Sequence, residues 1–218
     1  MTDQDAASEL SVDQQLALQT AARRLQDEFG RMFGVETIEQ FLSTSYDQFA
    51  NRSTVPNFLP LLAERYARQR LQAHARIEGL HEDGRPIVLF LCVHNAGRSQ
   101  MALGWFTRLA GESAVGWSGG SEPEYAINPA AVTAMAEVGI DITQEFPKPW
   151  TDDIVRAADV VITMGCGDAC PIFPGKRYLN WELDDPAGKG VEDIRPIRDD
   201  LERRVRGLLA ELEITAAG

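Results

Sequence analysis

The stretch PIVLFLCVHNAGRSQMALGWF constrains the fold most strongly. The apolar run 87–91 has the length and composition of a strand that is covered on both faces, as strands of parallel sheets are. The run stops at Cys92, and a short polar loop leads through Arg98 and Ser99 into an amphipathic segment. A buried strand that enters a helix through such a loop predicts the α/β class, with the loop at the carboxyl edge of a parallel sheet.

The loop after this strand has the chemistry to hold a tetrahedral oxyanion. Its backbone amides precede a helix N-terminus, where unpaired N–H groups and the helix dipole favour negative charge. Gly97 allows the tight backbone path, and the guanidinium of Arg98 can donate hydrogen bonds to two anion oxygens. The same donors, with Ser99, would stabilise the thiolate of Cys92. The predicted oxyanion-binding residues are Val93, His94, Asn95, Ala96, Gly97, Arg98 and Ser99.

Simpler explanations of the same residues stay open at this stage. Cys92 could be an inert buried cysteine that lies far from an unrelated surface arginine. Asn95 is expected to hold the shape of the loop through its side-chain amide. His94 is a candidate general base, although within such a loop we expect it to face solvent or brace its neighbours.

The pattern of apolar residues divides the chain into a helical part and an α/β part. We predict a disordered tail at 1–10, a three-helix N-terminal domain at 11–80 and a catalytic domain at 86–215. Ser11 is expected to cap the first helix, Gly34 to end it, and Pro56 to open the third. Further strands are predicted at 114–120, 159–164 and, more weakly, 176–181, and helices at about 99–110, 128–138, 152–157 and 194–212.

The composition excludes several classes of protein. The 218 residues carry a formal net charge of −12, which disfavours a nucleic-acid backbone as the main partner. The N-terminus lacks the basic and apolar regions of a signal peptide, and no apolar run could cross a bilayer. We therefore expect a cytoplasmic protein with no membrane partner, in which three cysteines do not form a secreted disulfide framework.

A second cysteine cluster, GCGDACPI, follows the predicted strand at 159–164. Cys166 and Cys170 could be half of a zinc site, two inert thiols, or a relay that passes oxidation outward by thiol–disulfide exchange. The three histidines are poorly placed to complete a metal site, so we predict no metal and no other bound cofactor.

The strand, CVHNAGRS and the following helix resemble the low-molecular-weight protein tyrosine phosphatase fold. The resemblance implies a four-stranded parallel sheet flanked by helices, here preceded by the small all-α domain. That family pairs the anion loop with a distant Asp-Pro, which WELDDPAGKG matches at Asp185 and Pro186. The resemblance thus implies that Asp185 is the general acid, with Asp184 as the neighbouring alternative.

Three separated motifs, RSQMALGW, the cysteine pair ending in CPI, and DDPAGK, resemble the thioredoxin-coupled arsenate reductases of this phosphatase-like family. The resemblance implies that Cys92 attacks arsenate and that Cys166 and Cys170 carry the disulfide to thioredoxin, the external reductant. Phosphate and sulfate would be competing anions. The spacing of the cysteine pair is shorter than in familiar members, and Leu103 stands where some members place an acidic residue for potassium, so we predict no such ion.

Two other functions remain as alternatives. A low-molecular-weight protein tyrosine phosphatase would hydrolyse phosphate monoesters with the same loop, but it needs no cysteine pair. In addition, Ala187-Gly188-Lys189 contains no aromatic side chain that could contact the ring of a phosphotyrosine. A non-catalytic redox sensor or arsenic-binding regulator would need neither Arg98 nor Asp185. The N-terminal helices could be a packing appendage, a partner-binding surface or the interface of a homodimer.

Overall fold

The computed structural model describes residues 10–50, 58–80, 84–165 and 170–216. The chain divides into two compact units, Met1–Ala75 and Arg76–Gly218. The division falls near the end of the third helix, a few residues before the boundary at 80 that the sequence suggests. The predicted disordered tail lies outside the described residues, except for its last residue, Leu10.

The first unit is built from three helices, as predicted. They are α1 (Val12–Phe29), α2 (Val35–Ala50) and α3 (Leu59–Ile77), the last of which runs into the second unit. Ser11 caps α1 as expected, because its hydroxyl accepts the amide of Gln14 while the Gln14 side chain accepts the amide of Ser11. The apolar faces of these helices share a core that includes Ala21, Leu25, Phe29, Ile38, Leu42, Ala67 and Leu71.

The prediction that Gly34 ends the first helix is wrong. The helix ends at Phe29, and Gly30 forms its C-cap. The amides of Met32 and Phe33 then donate to the Phe29 carbonyl in a tight turn. Gly34 belongs instead to the start of α2, where its carbonyl accepts the amide of Ile38. Pro56, expected to open the third helix, lies outside the described residues.

The second unit contains the predicted four-stranded parallel sheet. Its strands are β1 (Ile87–Cys92), β2 (Val115–Gly120), β3 (Val160–Thr163) and β4 (Arg177–Asn180), in the spatial order β2-β1-β3-β4. All three pairings are parallel. Every residue of β1 is buried, which agrees with its uninterrupted apolar sequence.

Helices cover this sheet where the sequence predicts them. They are α4 (Arg98–Ala110), α5 (Pro129–Ala136), α6 (Asp152–Ala157) and α7 (Val191–Glu211), with a short 3-10 helix at Gly111–Ser113. The apolar faces of α4 and α7 pack together in the main core. Among the described residues, no helix combines the length and the hydropathy that a membrane span requires.

The strand order places the candidate loop at a natural binding position. From β1 the chain crosses first to β2 on one side and later to β3 on the other, so the carboxyl end of β1 is the point where the strand order reverses. Ligands of open α/β sheets bind in the crevice at such a point. Cys92 is the last residue of β1 and pairs with Gly120 of β2.

Candidate active site

Cys92 lies at the base of the loop and is almost fully buried, with 2% of its surface exposed. Its Sγ is 3.0 Å from the Oγ of Ser99, in the first turn of α4. Arg98 is the first residue of that helix, after Gly97 as N-cap. The helix therefore directs its positive end and two functional side chains at the region above the sulfur.

The loop carbonyls are held on the outside by a neighbouring segment. The amide of Glu122 donates to the Val93 carbonyl, that of Glu124 to the His94 carbonyl, and that of Asn128 to the Ala96 carbonyl, each at 2.9 Å. Because the C=O and N–H of a trans peptide point in opposite directions, these bonds turn the following loop amides inward. The loop is thus shaped as a cradle of N–H groups for an anion.

Asn95 holds the middle of the loop. It is fully buried and adopts a φ of +47°, a left-handed conformation that asparagine tolerates better than most residues. Its Nδ2 donates to Ser99 Oγ at 2.8 Å, and its Oδ1 accepts the amide of Lys148 at 2.9 Å. Gln100 Nε2 donates to both the carbonyl and the Oδ1 of Asn95. This is the shape-holding role expected for Asn95.

The Arg98 side chain is 8% exposed, and its Nη2 lies 3.3 Å from Asp185 Oδ2. Gly165, which follows β3, lies against the other side of the guanidinium. A Cβ on Gly165 would be 3.0 Å from Arg98 Nη1, and its φ of +77° also favours glycine. Gly165 is the last described residue before the second cysteine cluster, and it lies beside the arginine of the anion loop.

The two neighbouring aspartates have different surroundings. Asp185 contacts Arg98, lines the cleft above Cys92 and accepts the Ala187 amide at 3.0 Å. Asp184 instead pairs with Lys189 at 3.2 Å, and its side chain is 82% exposed. Of the two, only Asp185 therefore lies beside the oxyanion loop, which favours it as the proton donor.

A cleft of about 700 Å³ opens above the loop. Its lining includes Glu124 and Tyr125 and the segment from Asp185 to Lys189. Tyr125 is 70% exposed. His94 lies at the rim, with Nδ1 3.2 Å from the Glu122 carbonyl and a partly exposed side chain, so it braces the neighbouring segment as expected.

Two of the three cysteines lie within the described residues. The Cys92 side chain is buried, and that of Cys170 is partly exposed. Cys170 Sγ is 3.7 Å from the Pro171 carbonyl, which also accepts the Tyr178 hydroxyl at 3.1 Å. Cys166 lies outside the described residues. Within them, no group of three or more histidine, cysteine, aspartate or glutamate side chains could hold a metal ion.

Four site residues are not singled out by the sequence patterns. Gln100 and Lys148 lie behind the loop, Tyr125 forms a wall of the cleft, and Asn128 joins two loops. Asn128 caps α5 through Oδ1, while its Nδ2 donates to the Pro186 carbonyl at 3.1 Å. The Asn-Pro that opens α5 is a sequence signal for the cap, but no local pattern predicts the bond to a loop 58 residues away.

Comparison with known proteins agrees with this geometry. Residues 87–216 match the family model described as low molecular weight phosphotyrosine protein phosphatase. Residues 18–75 match a model described as the N-terminal domain of protein-tyrosine-phosphatase-like proteins. The sequence suggested no chemical role for the helical unit, but this second match shows that the unit has a counterpart in known proteins.

Among curated proteins, the chain is 38% identical to arsenate reductase 2 of Staphylococcus epidermidis over 122 residues, which are 54% of this chain and 92% of that protein. It is 36% identical to an arsenate reductase of Halalkalibacterium halodurans over 132 residues, 56% of this chain and 94% of that protein.

Among solved structures, a thioredoxin-dependent arsenate reductase of Corynebacterium glutamicum is 41% identical, with a TM-score of 0.81 over 90% of this chain and 96% of that chain. An arsenate reductase in a phosphate-binding state is 34% identical, with a TM-score of 0.50 over 58% and 98% of the two chains. With its fold, its cysteine-arginine loop and a family match over more than half its length, the chain belongs to the low molecular weight phosphotyrosine protein phosphatase family.

Proposed function

We propose that this protein is an arsenate reductase that uses Cys92 as its nucleophile and thioredoxin as its reductant. The most informative observation is the position of Gly165 against Arg98, because it brings the chain that enters the Cys166–Cys170 cluster to the anion loop. A phosphatase needs the loop and an acid, but it does not need a cysteine pair. The similarity to the Corynebacterium glutamicum enzyme supports the same assignment.

The first step is attack on arsenic. Arsenate would be held by the inward amides of residues 93–99 and by the guanidinium of Arg98. The Cys92 thiolate forms a sulfur–arsenic bond, and one arsenate oxygen leaves as water after it takes a proton from Asp185. Ser99 stabilises the sulfur before the attack, through the contact of 3.0 Å between its Oγ and Cys92 Sγ.

The second step transfers two electrons to arsenic. The thiolate of Cys166 attacks Cys92 Sγ, a Cys92–Cys166 disulfide forms, and the electron pair of the sulfur–arsenic bond leaves with arsenic as arsenite. Cys170 then attacks Cys166, which releases Cys92 as a thiolate and moves the disulfide to Cys166–Cys170. The dithiol of thioredoxin reduces this outer disulfide and restores all three thiols.

A coupled assay tests this function. Purified protein is mixed with thioredoxin, thioredoxin reductase and NADPH, and arsenate-dependent NADPH oxidation is recorded. We expect steady turnover with the wild type, none with Cys92→Ser, and none beyond a first turnover with Cys166→Ser or Cys170→Ser. Undiminished turnover in both of the latter variants would contradict the relay, because another thiol would then be resolving Cys92.

Tyr125 gives a specific reason to measure a second activity, the hydrolysis of aryl phosphate monoesters. Its exposed ring lines the cleft above Cys92, and the same cleft is lined by Asp185, the proposed proton donor to a leaving oxygen. The sequence shows no aromatic residue after Pro186, but Tyr125 supplies one to the lining of the cleft. Hydrolysis of p-nitrophenyl phosphate that falls with Tyr125→Ala would support this activity, and a rate much greater than that of arsenate reduction would make it the main function.

The remaining expectations concern the oligomeric state, the cellular location and bound cofactors. A homodimer through the N-terminal helices stays a prediction, and the exposed apolar side chains Val12, Leu16, Phe58 and Leu61 are the candidates for its interface. Light scattering during size-exclusion chromatography, at several protein concentrations, measures the mass directly. A cytoplasmic location and the absence of a bound cofactor also stay predictions.

A further inference from the structure

Two buried polar side chains lie behind the anion loop without lining the cleft. Gln100 is fully buried and Lys148 is 4% exposed. Neither touches the region where an oxyanion would bind, since the cleft is lined by other residues. A buried ammonium is costly unless it is paired and hydrogen-bonded, so its presence beside the loop calls for a physical reason.

The ammonium of Lys148 ties a turn to the sheet. Its Nζ is 3.2 Å from Ser118 Oγ on β2, 3.5 Å from the Phe146 carbonyl and 3.7 Å from Glu145 Oε2. It also lies 4.7 Å from the centre of the Phe146 ring. These contacts add to the backbone bond from the Gly120 amide to the Lys148 carbonyl, at 3.0 Å, and together they hold the turn 145–148 against β2. This turn is the part of the chain that reaches the back of the loop.

The turn decides how the Asn95 amide is oriented. The backbone N–H of Lys148 can only donate, so the Asn95 atom 2.9 Å away must be the oxygen, Oδ1. Gln100 Nε2 reinforces this choice by donating to Asn95 Oδ1 at 3.1 Å. The same nitrogen donates to the Phe146 carbonyl at 3.1 Å, so Gln100 connects the loop to the turn that Lys148 holds.

The orientation of Asn95 in turn decides what Ser99 does. With Oδ1 turned to Lys148, the Nδ2 faces Ser99 Oγ at 2.8 Å and must donate to it. The Ser99 hydroxyl therefore accepts from Asn95, and its own hydrogen can be donated to Cys92 Sγ at 3.0 Å. If the amide were reversed, Ser99 would have to donate to Asn95 and could not give that hydrogen to a thiolate.

We propose that Lys148 and Gln100 are positioning residues that set the direction of a hydrogen-bond chain ending at the sulfur of Cys92. The chain runs from the Lys148 amide through Asn95 and Ser99 to Cys92. The ammonium of Lys148 acts as an internal cation that fixes the start of the chain. This inference depends on the proposed function only in taking Cys92 as the nucleophile.

The test measures the reactivity of Cys92 itself and needs no arsenate. In a Cys166→Ser/Cys170→Ser background, Cys92 is the only thiol, and its rate of alkylation by iodoacetamide is recorded across pH. We expect Lys148→Met to slow alkylation at neutral pH about tenfold, the loss of roughly one hydrogen bond to a charged group, and to move the profile to higher pH. Gln100→Leu should act in the same direction.

Matched variants separate positioning from general structural damage. Lys148→Arg keeps the cation and should retain most of the rate, whereas Lys176→Met removes a lysine outside the site and should match the parent. The charged or titratable side chains His94, Arg98, Glu124, Asp185 and Lys189, which line the cleft, are unchanged throughout, so a shifted profile reports on Lys148. Circular dichroism and a melting curve accompany each variant.

The outcomes are distinct. If folded Lys148→Met alkylates at the parent rate across pH, the inference is wrong. If that variant does not fold, Ser118→Ala replaces it, since it removes a partner of the ammonium with little loss of volume, and an unchanged profile there would equally overturn the inference. If wild-type protein failed to reduce arsenate but Lys148→Met still slowed alkylation, the positioning role would stand and the proposed function would fall.

Discussion

Gly97 in the anion loop and Pro186, which follows Asp185, approach so closely that a Cβ on Gly97 would lie 2.5 Å from Pro186 Cγ. Pro186 has little freedom to retreat, because its carbonyl accepts Asn128 Nδ2 and the preceding Asp185 accepts the Ala187 amide. Because residue 97 has no side chain, Pro186 can approach the anion loop and Asp185 can lie above it.

The variant Gly97→Ala should therefore separate Asp185 from the anion loop. The added methyl group must push Pro186 away, and misplacement of a reacting group by about 1 Å can reduce rates as much as 10²-fold. We expect kcat/KM for arsenate to fall about 10- to 100-fold, with a small change in melting temperature. Gly190→Ala is the control, since nothing lies within 4 Å of its added Cβ. Wild-type activity in Gly97→Ala would contradict the contact.

The two aspartates provide a matched pair of variants. Asp185→Asn removes the group that would carry a proton to the departing oxygen, so we expect kcat to fall about 10²-fold. Asp184→Asn loses only an exposed ion pair with Lys189, and such pairs contribute about 0–1 kcal/mol to stability, so its turnover should match the wild type. Equal losses in the two variants would mean that Asp185 is not the specific donor.

Arg98→Lys tests whether the planar guanidinium matters beyond its charge. A lysine keeps one positive charge but cannot form two parallel hydrogen bonds to an oxyanion. We expect the KM for arsenate to rise about tenfold or more, and inhibition by phosphate to weaken in parallel. Arg108→Lys, on the exposed side of the same helix, should behave as the wild type. An unchanged KM in Arg98→Lys would place the anion elsewhere.

Acid should weaken the hydrogen-bonded network of Glu137, Arg195 and Arg198, which links α5 to α7. Hydrogen bonds from Arg195, then those from Arg198, lower the pKa of the Glu137 carboxyl below its ordinary value. A lowered folded-state pKa means that the stabilisation is present above the ordinary value and is lost as the pH falls through the folded-state value. The difference in unfolding free energy between wild type and Glu137→Gln, measured with urea, should thus shrink between about pH 5 and pH 3. A constant difference would contradict this.

The local parts of the site are predictable from the sequence because the chemistry is contained in one short segment. Cys92 ends a strand whose apolar run is unmistakable, and Arg98 and Ser99 open the helix that follows the loop. Asp185 could be assigned only through family resemblance, since it lies far from the loop along the chain. Its contact with Arg98 depends on tertiary structure.

The supporting residues could not be predicted for the same reason. Gln100 stands on a helix where a polar residue usually faces solvent, yet it is fully buried against a carbonyl 46 residues away. Lys148 lies in a loop where a solvated lysine is the ordinary expectation. Such positions are decided by which loops the sheet brings together, and no periodic pattern along the chain encodes that.

The most direct test of the account is to map the disulfides after a single exposure to arsenate, without any reductant. Protein is reduced, desalted, treated with arsenate, quenched by alkylation and digested for mass spectrometry. We predict a Cys166–Cys170 disulfide and one equivalent of arsenite with the wild type, and a Cys92–Cys166 disulfide with Cys170→Ser. Arsenite formed while Cys166 and Cys170 both remain thiols would contradict the relay.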